Sequence, residues 1–227
     1  MKKTIISCVL FLTAVTAFSQ TTMKTAAEAK LSASDLAVKI ADRILATTTY
    51  EFKNAKTGKT YKSVKNLPLD MNVKVACKYN NWHYTNGVTH IALMELADKT
   101  GAKKYDDYVF KNMNFVFNEG NLDFFKKQYD QAMKDEGWYG VRKLSWHMIF
   151  RGKRLDDNGP MGASLIDLQM KHPNNSFLNY INETAEHLNY GEPRLADGTI
   201  ARIWLMKIQF GRMTLSWLSH FLPVWLR

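Results

Sequence analysis

Residues 104–135 read KYDDYVFKNMNFVFNEGNLDFFKKQYDQAMKD, two stretches of similar length, 104–117 and 121–135, joined by Glu119-Gly120-Asn121. Apolar residues recur in each at helical spacing, and the glycine at the junction lets the chain reverse, so the segment predicts a helical hairpin. The pattern repeats outward. Upstream, Trp82 to Lys99 predicts a helix with Gly87, Ile91, Met94 and Leu96 buried. Downstream, Asp156 to Lys171 predicts another, opening with two carboxylates that suit the N-terminal dipole and stopped by Pro173. Phe177 to Leu188 is its partner, with Tyr180, Ile181, Ala185 and Leu188 on one side. Nearer the start, Leu31-Ser32-Ala33-Ser34-Asp35 predicts a capped helix that ends near Thr47, with Leu36, Ile40 and Ile44 on one face. Helices arriving in pairs predict an all-α protein of α/α repeats, although the sequence itself has no period.

Two stretches break the pattern. Thr48 to Leu67 is polar, with a turn at Thr57-Gly58-Lys59, and predicts a long excursion between helices. After Gly137 and Gly140 comes a mixture of aromatic and basic residues, Trp138, Tyr139, Trp146, His147, Phe150 and Arg151, that indicates no particular element.

Composition sets the class. Of 227 residues 46% are hydrophobic and 23% charged, with 12 Gly and 5 Pro, which excludes a disordered or collagen-like chain and disfavours a sandwich of small strands. Residues 1–19 predict a secretory signal: Lys2 and Lys3, then an apolar run from Ile5 to Phe18, then the small residues around Ala17-Phe18-Ser19. No later segment approaches the ~18 apolar residues of a membrane span. Cys77 is then the only mature cysteine, so no internal disulfide forms. Without Lys2 and Lys3 the balance is 29 basic to 21 acidic residues. Such a surface attracts nucleic acid, anionic lipid or an acidic polymer. Export favours an acidic polysaccharide, and no Lys/Arg run with interleaved aromatics points to nucleic acid.

Three motifs carry candidate chemistry. Trp82-His83-Tyr84-Thr85-Asn86-Gly87 sets aromatics and an amide at a helix start, where Trp82 and Tyr84 suit stacking on a sugar ring and Asn86 suits its hydroxyls; core packing explains the aromatics equally well. Leu155-Asp156-Asp157-Asn158-Gly159-Pro160-Met161-Gly162 places two carboxylates beside glycines, which fits either a ligand approaching the backbone or a helix cap. Arg194-Leu195-Ala196-Asp197-Gly198-Thr199, followed by Arg202, offers two guanidinium groups to a carboxylate, or is a turn with solvated charges. His83 and His90 lack further ligands at metal spacing, and there is no nucleophile elbow, phosphate loop or dinucleotide fingerprint. Neither a metal nor a cofactor is expected.

In this order, together with Ala41-Asp42-Arg43-Ile44, the motifs resemble the unsaturated glucuronyl and rhamnogalacturonyl hydrolases of glycoside hydrolase families 88 and 105, over residues 31–204. The resemblance implies an (α/α)6 barrel of six-hairpin glycosidase type, of which residues 20–204 are the N-terminal part. It also implies an acidic oligosaccharide substrate ending in a 4,5-unsaturated uronic acid left by a polysaccharide lyase. A protonated carboxyl would protonate the vinyl ether and water would add, giving a hemiketal that opens and releases the sugar. The earlier of the family's two aspartates falls on Asp157, with Asp156 beside it; Trp82, Tyr84, Asn86, Arg194 and Arg202 are the expected substrate contacts.

The later aspartate, the expected proton donor, belongs to a Trp-x-Asp-Asp-like motif soon after Arg202. Residues 205–227 contain no Asp or Glu. Restoring one C after the Trp204 codon permits Pro-Asn-Glu-Asn-Thr-Ile-Trp-Ala-Asp-Asp, in which the Glu is forced by the Met206-Lys207 codons and the last Asp by Met213-Thr214. Residues 205–227 are thus expected to be a frameshifted tail on an incomplete barrel, with exposed apolar faces and impaired activity. Three alternatives stay open: a non-catalytic sugar-binding protein, an assembly role for the tail, or another (α/α)6 carbohydrate-active enzyme.

Overall fold

The computed structural model describes residues 32–118, 120–151, 155–204 and 207–209. The predicted signal segment and most of the predicted aberrant tail lie outside them. The chain divides into two units, up to Asp42 and from Arg43 onward.

Helix α1 is Ala33–Thr47, and the boundary between the units falls within it, after Asp42. Ser32 caps it as expected: its Oγ accepts from the Asp35 N–H at 3.1 Å and donates to Asp35 Oδ2 at 2.6 Å. Of the three residues on one face, Ile44 is half-buried, whereas Leu36 and Ile40 are 48% and 53% exposed among the described residues, because helical spacing makes residues share a face without supplying a partner for it.

The second unit continues with strands β1, Phe52–Asn54, β2, Thr60–Tyr61, and β3, Val73–Val75, then helices α2, Tyr84–Thr100, α3, Lys104–Phe117, α4, Asn121–Asp135, and α5, Gly137–Val141. After a 3₁₀ turn at His147–Phe150 come α6, Leu155–Lys171, and α7, Asn175–Glu186, which widens into a π-type turn at His187–Gly191. Strands β4, Arg202–Trp204, and β5, Lys207–Gln209, pair antiparallel, so β5 falls inside the segment expected to be aberrant. None of the helices among the described residues is long and apolar enough to cross a membrane.

The chain is mainly helical, and α3 and α4 have the bounds expected of the hairpin. The excursion at Thr48 to Leu67 is corrected: it carries two strands of an antiparallel sheet ordered β2-β1-β3. Strands of two or three residues are too short for alternation to register in a sequence, yet Phe52 and Asn54 are buried and Lys53 is exposed. The expected turn is present, with Gly58 at φ +76°. Phe52 meets the rings of Phe115, Phe124 and Phe125, and the buried Gln128 amide of α4 donates to the Asp70 and Val73 carbonyls, fixing the sheet to the helices.

Helices α2 and α6 run side by side in the same direction. Near their starts Gly87 lies against the Pro160–Met161 backbone; near their ends Lys171 pairs with Asp98 at 2.7 Å and with Asp106 of α3. This close contact selects which face of α2 is buried: Asn86, Gly87, His90, Leu93, Met94 and Ala97. Ile91 and Leu96, expected inside, are half-buried because the glycine side of the helix turns toward α6. Trp82, Phe117, Trp146 and Phe177 fill the space around the pair.

A methyl added at Gly87 would stand 2.5 Å from the Met161 N and 2.6 Å from the Pro160 O. Backbone cannot rotate away as a side chain can, so Gly87→Ala should destabilise by about 1–3 kcal/mol or more, read as a lower urea midpoint.

His90 is buried without a hydrogen-bond partner for either ring nitrogen among the described residues, and burial pushes its pKa down from 6.5 to about 4. The unfolded chain then takes up a proton that the folded one refuses. The stability present above pH 6.5 should therefore fall as pH drops toward 4, by up to about 3 kcal/mol. His90→Leu should flatten that slope in denaturation measured between pH 4.5 and 7.5.

Candidate active site

Because α2 and α6 are parallel, their first turns open at the same end. The residues expected to act chemically are distributed over that end unevenly. Tyr84, the first residue of α2, is 46% exposed, its ring 4.6 Å from that of His83, which caps the helix through Nδ1. Asp156 and Asp157 lie in the first turn of α6. Asp156 is half-buried, and the Asp157 side chain lies outside what is described.

Trp82 and Asn86 are corrected to bracing residues. The Trp82 ring is 0% exposed and cannot offer a face to a sugar; its Nε1 donates to Asn158 Oδ1 at 3.0 Å. Asn86 is buried and donates to the Lys78 and Asn81 carbonyls, both at 2.9 Å, tying the loop before α2 to its first turn. Arg194 likewise holds its own surroundings, donating from Nη1 to the Gly198 carbonyl at 2.8 Å and from Nη2 to the Leu188 carbonyl at 2.9 Å. In the same turn Asp197 accepts from the Thr199 N–H, which holds its carboxyl below the ordinary range. Arg202 is in β4, and its side chain lies outside what is described.

The chemistry-bearing cleft lies beside these motifs. A cavity of about 840 Å³ is walled by α4 (Lys126, Tyr129), α5 (Trp138), the end of the 3₁₀ turn and the residue after it (Phe150, Arg151), α7 (Tyr180, Glu183) and the π-type turn (His187). Its size suits an oligosaccharide or another ligand of comparable bulk. The Arg151 guanidinium sits 4.1 Å from the centre of the Trp138 ring, and the Tyr129 and Phe150 rings pack at 5.5 Å. Lys126 pairs with Asp130 at 2.6 Å, and His187 Nε2 meets Glu192 Oε1 at 3.1 Å.

Asn158 joins the cleft to the carboxylate pair. Its buried Oδ1 accepts from Trp82 Nε1 and, at 3.3 Å, from the Tyr180 hydroxyl, while Nδ2 donates to the Arg151 carbonyl at 3.4 Å. Burial pushes the Tyr180 phenol far above its ordinary range, so it remains a neutral donor. Sequence reasoning missed Arg151, Tyr180 and Trp138 as a group. The aromatic and basic mixture from Trp138 to Arg151 was the available signal, but no helical period assigns those residues to one wall.

Two parallel helix starts, one of them bearing Asp156 and Asp157, stand beside an aromatic, cation-bearing cleft in a mainly helical chain, as an all-α carbohydrate-active enzyme of six-hairpin type requires. The model of Glycosyl Hydrolase Family 88 matches residues 48–218, and the chain belongs to that family, a family of glycosidases acting on oligosaccharides. The match begins later and ends later than the stretch 31–204 over which the motifs resemble the family. No curated protein matches the sequence.

The Asn158 junction is open to test. Trp82→Phe removes one donor, and Asn158→Ala leaves the buried Trp82 Nε1 without its acceptor and turns the Tyr180 hydroxyl to the Ile149 carbonyl, 3.5 Å away. The first should cost about 1 kcal/mol and the second about 2–4 kcal/mol of unfolding free energy in urea titrations.

Proposed function

We propose that this chain acts on oligosaccharides ending in a 4,5-unsaturated uronic acid and cleaves them by hydrating that double bond. The observation that carries the reading is the Asn158 junction, which ties the helix start bearing Asp156 and Asp157 to a cleft wall bearing Arg151 and Tyr180. The uronate carboxylate suits the Arg151 guanidinium, and the flat, unsaturated ring suits the faces of Trp138 and Tyr129.

In the reaction a carboxylic acid gives its proton to C4 and water supplies hydroxide to C5. The hemiketal opens, and the linkage to the next sugar is released. The proton donor has to be an acid held neutral near working pH, which burial achieves by disfavouring the carboxylate. Asp157, the earlier of the two expected aspartates, is the carboxyl we assign to this centre, with Asp156 beside it and Tyr84 and Arg202 as substrate contacts; the proton donor expected from the later motif is the one residues 205–227 do not supply. We further propose export, on the strength of residues 1–19, and pectin-derived oligosaccharides as the source of substrate.

A second reading is favoured by one observation: residues 205–227 contain no Asp or Glu, so the segment after Trp204 supplies no further acid. On that reading the chain binds unsaturated oligouronides and turns them over poorly. Resequencing the gene across the codons for Trp204 to Arg227 tests whether one additional base restores the Trp-x-Asp-Asp frame.

Turnover is followed by loss of the ultraviolet absorbance of the conjugated double bond in an unsaturated digalacturonide. Asp157→Asn should lower kcat/KM about 10²–10⁴-fold, and Arg151→Ala should act mainly on KM. Binding of the disaccharide by calorimetry without absorbance loss would select the second reading; neither binding nor turnover would reject both.

A further inference from the structure

The β2-β1-β3 sheet presents a charged face without a partner among the described residues. From Glu51 to Lys78 the chain carries seven lysines against two carboxylates, Glu51 and Asp70. All of these lysines except the half-buried Lys74 are exposed. Among the described residues none of the seven joins an ion pair, whereas Lys103, Lys126, Lys143 and Lys171 all do.

The arrangement concentrates the charge. Lys53 and Lys74 are direct register partners on β1 and β3, on the face opposite the buried Phe52, Asn54, Val73 and Val75. Like charges set opposite one another disfavour strand pairing, a repulsion that a bound anion would relieve. Lys56 and Lys59 belong to the turn that closes the β1–β2 hairpin, and the Lys59 ammonium lies 5.1 Å from the centre of the Tyr61 ring. Asp70 offsets only part of the charge: its carboxylate, held by the Asn72 backbone and the Asn54 and Asn72 amides, acts on Lys56 but forms no ion pair among the described residues. The platform is fixed from behind by the Phe52 ring contacts and the two Gln128 hydrogen bonds.

We propose that this sheet face is an accessory surface that holds a polyuronate chain, separate from the cleft. None of its lysines lines the cleft. Ammonium groups are point charges without the paired geometry of guanidinium, so a row of them suits repeated carboxylates along a polymer better than a single fitted anion. A uronate polymer is chosen over other polyanions because the inference rests on the oligouronide reading above. The surface would keep the enzyme on the polymer from which lyases release its substrate.

The test compares the affinity of the full chain for polygalacturonate before and after the combined changes Lys53→Gln, Lys56→Gln, Lys59→Gln and Lys74→Gln. A control carries Lys99→Gln, Lys103→Gln, Lys134→Gln and Lys143→Gln, an equal loss of charge elsewhere, and circular dichroism establishes that both variants fold. The sheet variant should bind about tenfold or more weakly and the control within about twofold of the original, with affinity falling steeply as salt rises above about 0.1 M. Equal losses in the two variants, or no loss in either, would overturn the proposal. So would tighter binding to duplex DNA or to phosphatidylserine vesicles than to polygalacturonate at the same salt. Turnover of the unsaturated disaccharide should be unchanged in the sheet variant. That assay reports on the cleft alone, so an inactive chain that still holds the polymer separates failure of the catalytic reading from failure of this one.

Discussion

The contact between Gly87 and the Pro160–Met161 backbone governs the rest of the second unit. Two helices come this close only where one of them lacks a side chain, and the approach brings their first turns into register. The Lys171 ion pairs at the far end hold the same alignment. Surface pairs contribute little energy singly, so the helix pair depends on steric fit more than on charge. The exposed Tyr84 and the Asp156–Asp157 pair stand at one end because the two helix starts do.

From that alignment the cleft acquires its floor. Trp82, fixed below the start of α2, and Tyr180, rising from α7, converge on one amide oxygen that has two lone pairs to accept them. The Asn158 oxygen is thereby saturated and the residue buried, a condition in which it specifies one geometry for the turn of helix that precedes it. The residues that best resemble a family site are in this sense divided between those that face a ligand and those that hold the first group in place. Tyr84 is exposed at the helix start, where the first group has to lie; Trp82 and Asn86, buried and hydrogen-bonded, belong to the second.

This division was not legible in the sequence, and the reason is physical. Periodicity reports which residues share a face of one element, so the α3–α4 hairpin could be read directly, and α6 and α7 to within one or two residues at each end. It does not report which faces meet. The exposed Leu36 and Ile40 and the half-buried Ile91 and Leu96 are all consequences of that limit. The three-stranded sheet escaped because its strands are shorter than one full alternation. The cleft escaped because Tyr129, Arg151 and Tyr180 come from three separate segments. Motif order, by contrast, survives without any knowledge of packing, which is why it led to the family.

Trp146 has a further implication for the cleft. Its backbone sits at φ +60°, a region that a bulky residue enters only under constraint, and its indole N–H has no partner among the described residues. The surroundings hold it there: its amide donates to Asn81 Oδ1 at 2.8 Å, and its ring is enclosed by Trp82, Phe115 and Phe125. The segment that departs from Trp146 becomes the Phe150–Arg151 wall within a few residues. A wall launched from a position so fully determined has little freedom to surrender when a sugar arrives. A ligand entering the cleft would meet a surface already fixed by packing, and would lose less binding free energy to ordering it.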